Sequence, residues 1–123
     1  MDRLVLWQRI EGAGVLIAGL ALFLHADAGV PWWAALLIFF APDLGFAAYL
    51  LGPRVGAWGY NAVHVYAFGA VVLAAGMLAA LPLTAALGAL WLAHAGFDRM
   101  LGYGLKSEAG FADTHLGRIG RGS

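Results

Sequence analysis

Residues 31–51 read PWWAALLIFFAPDLGFAAYLL, a run in which Asp43 is the one charged side chain. A helix needs roughly 20 apolar residues to cross the hydrocarbon of a bilayer, and this run supplies them. Pro31 suits the first turn of such a helix. Pro42 lies inside it, where a proline removes one backbone hydrogen bond and kinks the helix. The kink is expected to open a pocket beside Asp43 and to leave a carbonyl free.

Outward from this run the pattern repeats. Upstream, residues 4–24 form a first span, with Trp7, Gln8, Arg9 and Glu11 in its opening turns and a polar turn at His25–Gly29 after it. Its interruption by Arg9 and Glu11, without a clear cleavage site, reads as a span and not as a cleaved leader. Downstream, Gly52-Pro53-Arg54-Val55-Gly56 makes a turn with breakers at both ends. Residues 57–80 form a third span and residues 84–103 a fourth, joined at Leu81-Pro82-Leu83 as a tight antiparallel hairpin. The reading is an all-α integral membrane protein: a four-helix transmembrane domain over 1–105 and a polar tail over 106–123.

Composition agrees. Of 123 residues, 63% are hydrophobic and 11% charged, whereas soluble domains carry about 25% charged residues. So few polar groups suit a surface that faces lipid. Net charge is zero and no basic face recommends nucleic acid. No cysteine is present, which removes disulfides, thiolate metal sites and cysteine nucleophiles. Small residues such as Gly69, Gly76, Ala85, Ala86 and Gly88 let helix backbones approach closely in lipid. A bundle this small buries little surface per monomer, which leaves room for a homo-oligomer.

The seven basic residues fix an orientation. Arg3, Arg9, Arg54, Arg99, Lys106, Arg118 and Arg121 all fall on one side of a four-span bundle. Positive charge is retained in the cytoplasm, so both termini are expected there, in a bacterial inner membrane. Trp32 and Trp33 are then outer anchors. Trp7, Trp58, Tyr60 and Tyr103 are inner ones.

Polar residues inside the spans carry the chemistry. They are Glu11, Asp43, Asn61, His64, His94 and Asp98. Each ionisable group in hydrocarbon costs roughly 2.5 kcal/mol or more, so such groups persist where they face one another, a cavity or an ion. At 1.5 Å per residue, His64 lies roughly 10 Å in from the cytoplasmic end of its span, and Asp43 and His94 roughly 12 Å. Asp98 and Glu11 are shallower. All six therefore sit in one half of the bilayer. His94 and Asp98 are four apart and share a helix face; Asn61 and His64, three apart, do likewise. Simpler roles exist for some. Glu11 suits pairing with Arg9 or Arg99, Asp98 pairing with Arg99 or a helix cap, and Asn61 a bond between helices.

Two imidazoles and two carboxylates first suggest a divalent metal: zinc, iron or manganese. His64, His94 and Asp98 would supply three ligands, with Asp43 as a fourth ligand or the base. These four are the candidate catalytic and metal-ligating residues, and the expected substrate is a lipid or amphiphile. Metal-free acid–base work by the same groups is a second reading. A small oligomeric carrier with a proton or ion pathway is a third, and a structural membrane subunit a fourth. In the tail, Asp113, Thr114 and His115 read either as a capped surface turn or as a lid that brings Asp113 or His115 to the site.

Several blocks resemble a known family: Ala41-Pro42-Asp43-Leu44, Gly52-Pro53-Arg54-Val55-Gly56, Tyr60-Asn61-Ala62-Val63-His64, His94 through Lys106, and Asp113-Thr114-His115-Leu116-Gly117. They are similar to the small bacterial membrane proteins grouped as domain of unknown function 4260. The resemblance implies the four-span fold and supplies no activity. Its motif positions are Asp43, Asn61, His64, His94, Asp98, Asp113 and His115. The His94-to-Asp98 spacing is also similar to that of membrane metal hydrolases of the alkaline ceramidase type, which have more spans and more ligands. The His and acidic pairs of sterol-isomerase-like four-helix proteins are similar as well.

Overall fold

The structure is a computed structural model, and it describes residues 2–107 and 110–118. Helix α1 spans Arg3–Ala26, with Asp2 capping its start by accepting from the Leu4 N–H at 2.7 Å. Helix α2 spans Trp32–Phe39 and continues as a 3-10 helix over Ala41–Leu51. Helices α3 (Pro53–His64) and α4 (Tyr66–Leu78) follow, then α5 (Pro82–Leu101). The tail forms a small antiparallel sheet in the order β1 (Lys106–Ser107), β2 (Gly110–Thr114), β3 (Gly117–Arg118). The chain is thus helical through Leu101, and the sheet is an addition to the all-α expectation.

Helix α5 is the axis of the molecule. Its Ala85, Ala86, Ala89, Ala93 and Ala95 are almost wholly buried. Glycines set how closely its neighbours approach. A Cβ on Gly12 of α1 would stand 2.7 Å from the Gly96 carbonyl, and one on Gly69 of α4 would stand 2.5 Å from the Leu92 nitrogen. Neither distance is possible, so these contacts exist only because no side chain intervenes. Leu73, Ala85 and Ala89 form the buried cluster between α4 and α5.

The outside is apolar. Leu4, Ile17, Trp32, Leu37, Leu50 and Leu78 are each well over half exposed. Two segments, Arg3–Ala26 and Trp32–Leu51, are long and apolar enough to cross a membrane, and the bent pair α3–α4 makes a third if it counts as one span. Helix α5 is less apolar, because His94, Asp98 and Arg99 lie in its last turns, and these are buried.

Two breaks shape the site. Pro42 acts as expected: α-helix stops at Phe39, and the Asp43 N–H bonds the Phe40 carbonyl at 3.1 Å, a three-residue step. In a 3-10 helix side chains three apart eclipse, so Asp43, Phe46 and Tyr49 form one row. That row runs antiparallel to α3, where it meets His64, Tyr60 and Gly56 in turn. The second break falls in the span expected to run unbroken over 57–80. Val65 is extended (φ −72°, ψ 146°), and α3 and α4 meet at 42°. No proline or glycine marks it. The carbonyls that it frees are bonded by α5: Trp91 Nε1 donates to Val63 O at 2.9 Å, and Arg99 Nη2 to His64 O at 3.0 Å. Backbone groups in an apolar setting need such partners.

Candidate metal centre

The two breaks and the α5 axis bring Asp43, His64, His94 and Asp98 to one point. His64 Nε2 lies 3.3 Å from His94 Nε2, 3.5 Å from Asp43 Oδ1 and 3.4 Å from Asp98 Oδ2. His94 Nε2 lies 3.1 Å from Asp43 Oδ1 and 3.4 Å from Asp98 Oδ2. All four atoms fall within 4.8 Å of one another. Both imidazoles are buried, Asp98 nearly so, and the Asp43 side chain is 39% exposed.

The surroundings fix each ring. His64 Nδ1 lies 2.8 Å from the Tyr60 carbonyl, which can only accept, so Nδ1 carries the hydrogen. The Nε2 lone pair of the neutral ring then points at the centre. A ring nitrogen donating to a backbone carbonyl while the other faces the site is the usual support of a histidine ligand. Tyr60 holds the same ring from below, stacked at 3.8 Å with an 8° interplanar angle. Its hydroxyl donates to Asp98 Oδ2 at 3.2 Å. His94 is held by the edges of Phe39 and Phe40. Its Nδ1 is buried, with no hydrogen-bond partner among the described residues.

Four groups that attract positive charge, packed this closely, need protons or a cation between them. Ligands at about 2.0–2.1 Å from a four-coordinate zinc lie about 3.3–3.4 Å from one another. Five of the separations here run from 3.1 to 3.5 Å. The donor set of two imidazoles and two carboxylates could hold a metal ion.

A cavity of about 350 Å³ adjoins the cluster. Asp43, His94 and Asp98 line it together with Phe40, Phe46, Phe97, Leu101 and Tyr103. Tyr60 and Lys106 complete the wall. Lys106 is buried, its Nζ 4.9 Å from the centre of the Tyr60 ring. Burial pushes its ammonium down to about 8, against the pull of Asp98 in the other direction.

The other residues singled out in the sequence go elsewhere. Asn61 does not join two membrane helices: its Nδ2 donates to the Lys106 carbonyl at 2.7 Å, and its Oδ1 accepts from the Lys106 N–H at 2.6 Å. It pins β1 onto α3. Glu11 is exposed on α1 and accepts from Gln8 Nε2 at 3.3 Å. His115 does not reach the cluster. Its Nδ1 accepts from the Leu105 N–H at 2.8 Å and its N–H donates to the Leu105 carbonyl at 3.1 Å. The Asp113 side chain lies outside the described residues. Asp98 is neither a cap nor exposed, and Arg99 turns away to the carbonyls of His64 and Tyr103.

Sequence reasoning missed Tyr60 and Lys106. Tyr60, expected as an interfacial anchor, is 2% exposed. Its position one turn before His64 was the available signal, the same i, i+4 spacing as His94 and Asp98. Lys106 gave none, because the tail's docking is not a local property.

Comparison with curated proteins and with solved structures returned no match. A family model described as "Domain of unknown function (DUF4260)" matches residues 5–119, which contain the whole cluster and its cavity. The chain belongs to that family, and it has a helical fold with a buried His/Asp cluster.

Proposed function

We propose that the chain is a four-span membrane protein of the bacterial inner membrane, with both termini and the 106–123 tail in the cytoplasm, whose His/Asp cluster holds a divalent metal and hydrolyses an amphiphile. The observation that carries the metal is that five separations of 3.1 to 3.5 Å link the four donor atoms, all of which lie within 4.8 Å of one another. The alternation of helix direction supports the topology, since it gathers the start of α1, the α3 entry at Arg54 and the end of α5 on one side.

In this reading His64, His94 and Asp98 are the fixed ligands, each buried and held by a neighbour. Asp43 is the least buried of the four and sits on the 3-10 segment. It would serve as a fourth ligand or as the base. A divalent cation lowers the pKa of bound water to about 7, which yields a nucleophile at neutral pH. The adjoining cavity, mostly aromatic and aliphatic, takes the apolar part of the substrate.

Metal-free acid–base chemistry is favoured by one observation. With its Nδ1 unpartnered, His94 can carry its hydrogen on Nε2 and donate to Asp43 at 3.1 Å. Elemental analysis of detergent-purified protein separates the two. Near-stoichiometric zinc, iron or manganese, lost in both His64→Ala and His94→Ala, supports the metal centre. Folded wild-type protein that takes up none of these ions, even when they are added, overturns it in favour of proton handling.

A further inference from the structure

We propose that the substrate of the His/Asp cluster carries one long apolar chain, which passes Phe39 and lies in a second cavity between α1, α2 and α5. This rests on the reading that the cluster acts on an amphiphile. It names where the chain goes, and Phe39 as the residue that governs its passage.

Two cavities of about 350 Å³ each lie on either side of one ring. The first is the cavity beside the cluster. The second is lined by Leu16 and Leu20 of α1, Trp32 and Leu36 of α2, and Leu90 of α5, with Phe39 at its inner end. The Phe39 ring packs edge-on against three rings that line the first cavity. Its centroid lies 5.0 Å from that of Phe40, 5.4 Å from that of His94 and 5.5 Å from that of Phe97. A single half-buried side chain thus divides the two spaces. The α-helix stops at this residue, so the ring is carried at a helix end and not in mid-helix.

Shape and chemistry both fit a chain. Leu90 lies about one turn before His94 on α5, so the second cavity begins one turn beyond the cluster. From Phe39 to Trp32 its wall follows α2 for about 10 Å. That wall is leucine, phenylalanine, alanine and one tryptophan. A polar head group would lose its water there and find almost no partner, whereas an alkyl chain loses nothing. The first cavity alone admits only a group of modest size, so a long chain needs the second. Continuity with the cluster singles out the substrate's own chain. A bulk lipid tail or a helix of a second copy has no reason to end at Phe39.

The chain has no cysteine, so one thiol placed on the cavity wall is unique. Asp43→Cys and, in a separate protein, Tyr103→Cys are joined by a disulfide to a hexyl or a dodecyl chain that ends in a diazirine. If Asp43→Cys does not fold, Tyr103→Cys carries the test. The tether holds the chain's near end in place with or without a metal, so the result does not depend on the metal centre, whose content is read on wild type. Irradiation and peptide mapping report where each chain ends. The hexyl chain should mark Phe97 and Leu101. The dodecyl chain should mark Leu16, Leu20 and Leu36 well above the lipid-facing Leu50 and Leu78. Phe39→Trp, which enlarges the partition, should lower that marking about fivefold or more, and Phe39→Ala should retain it. A dodecyl chain that spares the second cavity, marking that Phe39→Trp leaves unchanged, or cross-links to a second copy would overturn the inference. Marking of the second cavity beside a wild type that takes up no metal overturns the metal centre and leaves the chain site standing.

Discussion

Asn61 of α3 pairs with the backbone of Lys106 through both ends of its amide, at 2.7 Å and 2.6 Å, across 45 residues of sequence. The pair joins the tail to the membrane helices and sets where the Lys106 side chain enters. Asn61→Ala should therefore release β1 from α3, at a cost of about 1–3 kcal/mol to docking. Hydrogen exchange at the Lys106 amide should accelerate, while the metal content of the protein stays the same. Continued protection of that amide would show that the sheet docks by other means.

Tyr60 supports the cluster twice, through its ring on His64 and its hydroxyl on Asp98. Tyr60→Phe removes the hydroxyl only. Loss of such an outer partner costs about 10- to 100-fold in metal affinity. Competition with a chelator of known affinity measures it. Tyr60→Leu, which removes the stack as well, should lose more than Tyr60→Phe.

His115 gives the tail a pH dependence. Burial, and after it the charge of Arg99, holds its imidazole below the ordinary 6.5. A proton on Nδ1 would also remove the acceptor that bonds the Leu105 N–H. The folded tail thus binds a proton less readily than the unfolded one, so docking is strongest above pH 6.5 and weakens as pH falls below it. Exchange at the Leu105 amide, corrected for its intrinsic rate, should be faster at acid pH than at neutral. His115→Asn, which retains an acceptor without titrating, should flatten that difference.

Helix approach can be tested with two glycines. A Cβ at Gly88 would fall on the Leu73 backbone, whereas one at Gly14 meets nothing within 4 Å. Gly88→Leu should cost about 1–3 kcal/mol or more. Gly14→Ala should stay within about 1 kcal/mol of wild type. Unfolding in detergent reads both, and equal losses would count against the close packing of α4 on α5.

Much of the site was legible because its signals are local. His94 and Asp98 share a face by spacing alone, and Pro42 announces the break that aims Asp43. Asn61 misled because its face was right and its partner unforeseeable: a backbone amide of the tail. Tyr60 was misread because an aromatic near a span end has an ordinary interfacial role, and only burial distinguishes the two.

The sequence by itself determined that this chain is apolar and helical, where its turns fall, and which side chains are too costly to place in hydrocarbon without partners. Those follow from hydropathy and from helical spacing, which depend on neighbours in the chain. Only the tertiary structure decided that four donor atoms from three segments converge to within 4.8 Å, that α3 and α4 part at Val65, and that Lys106 faces the cavity. Convergence depends on how far each helix is rotated and how near it comes to α5. Glycine contacts and bonds to freed carbonyls set both, and these join residues that the chain itself holds far apart.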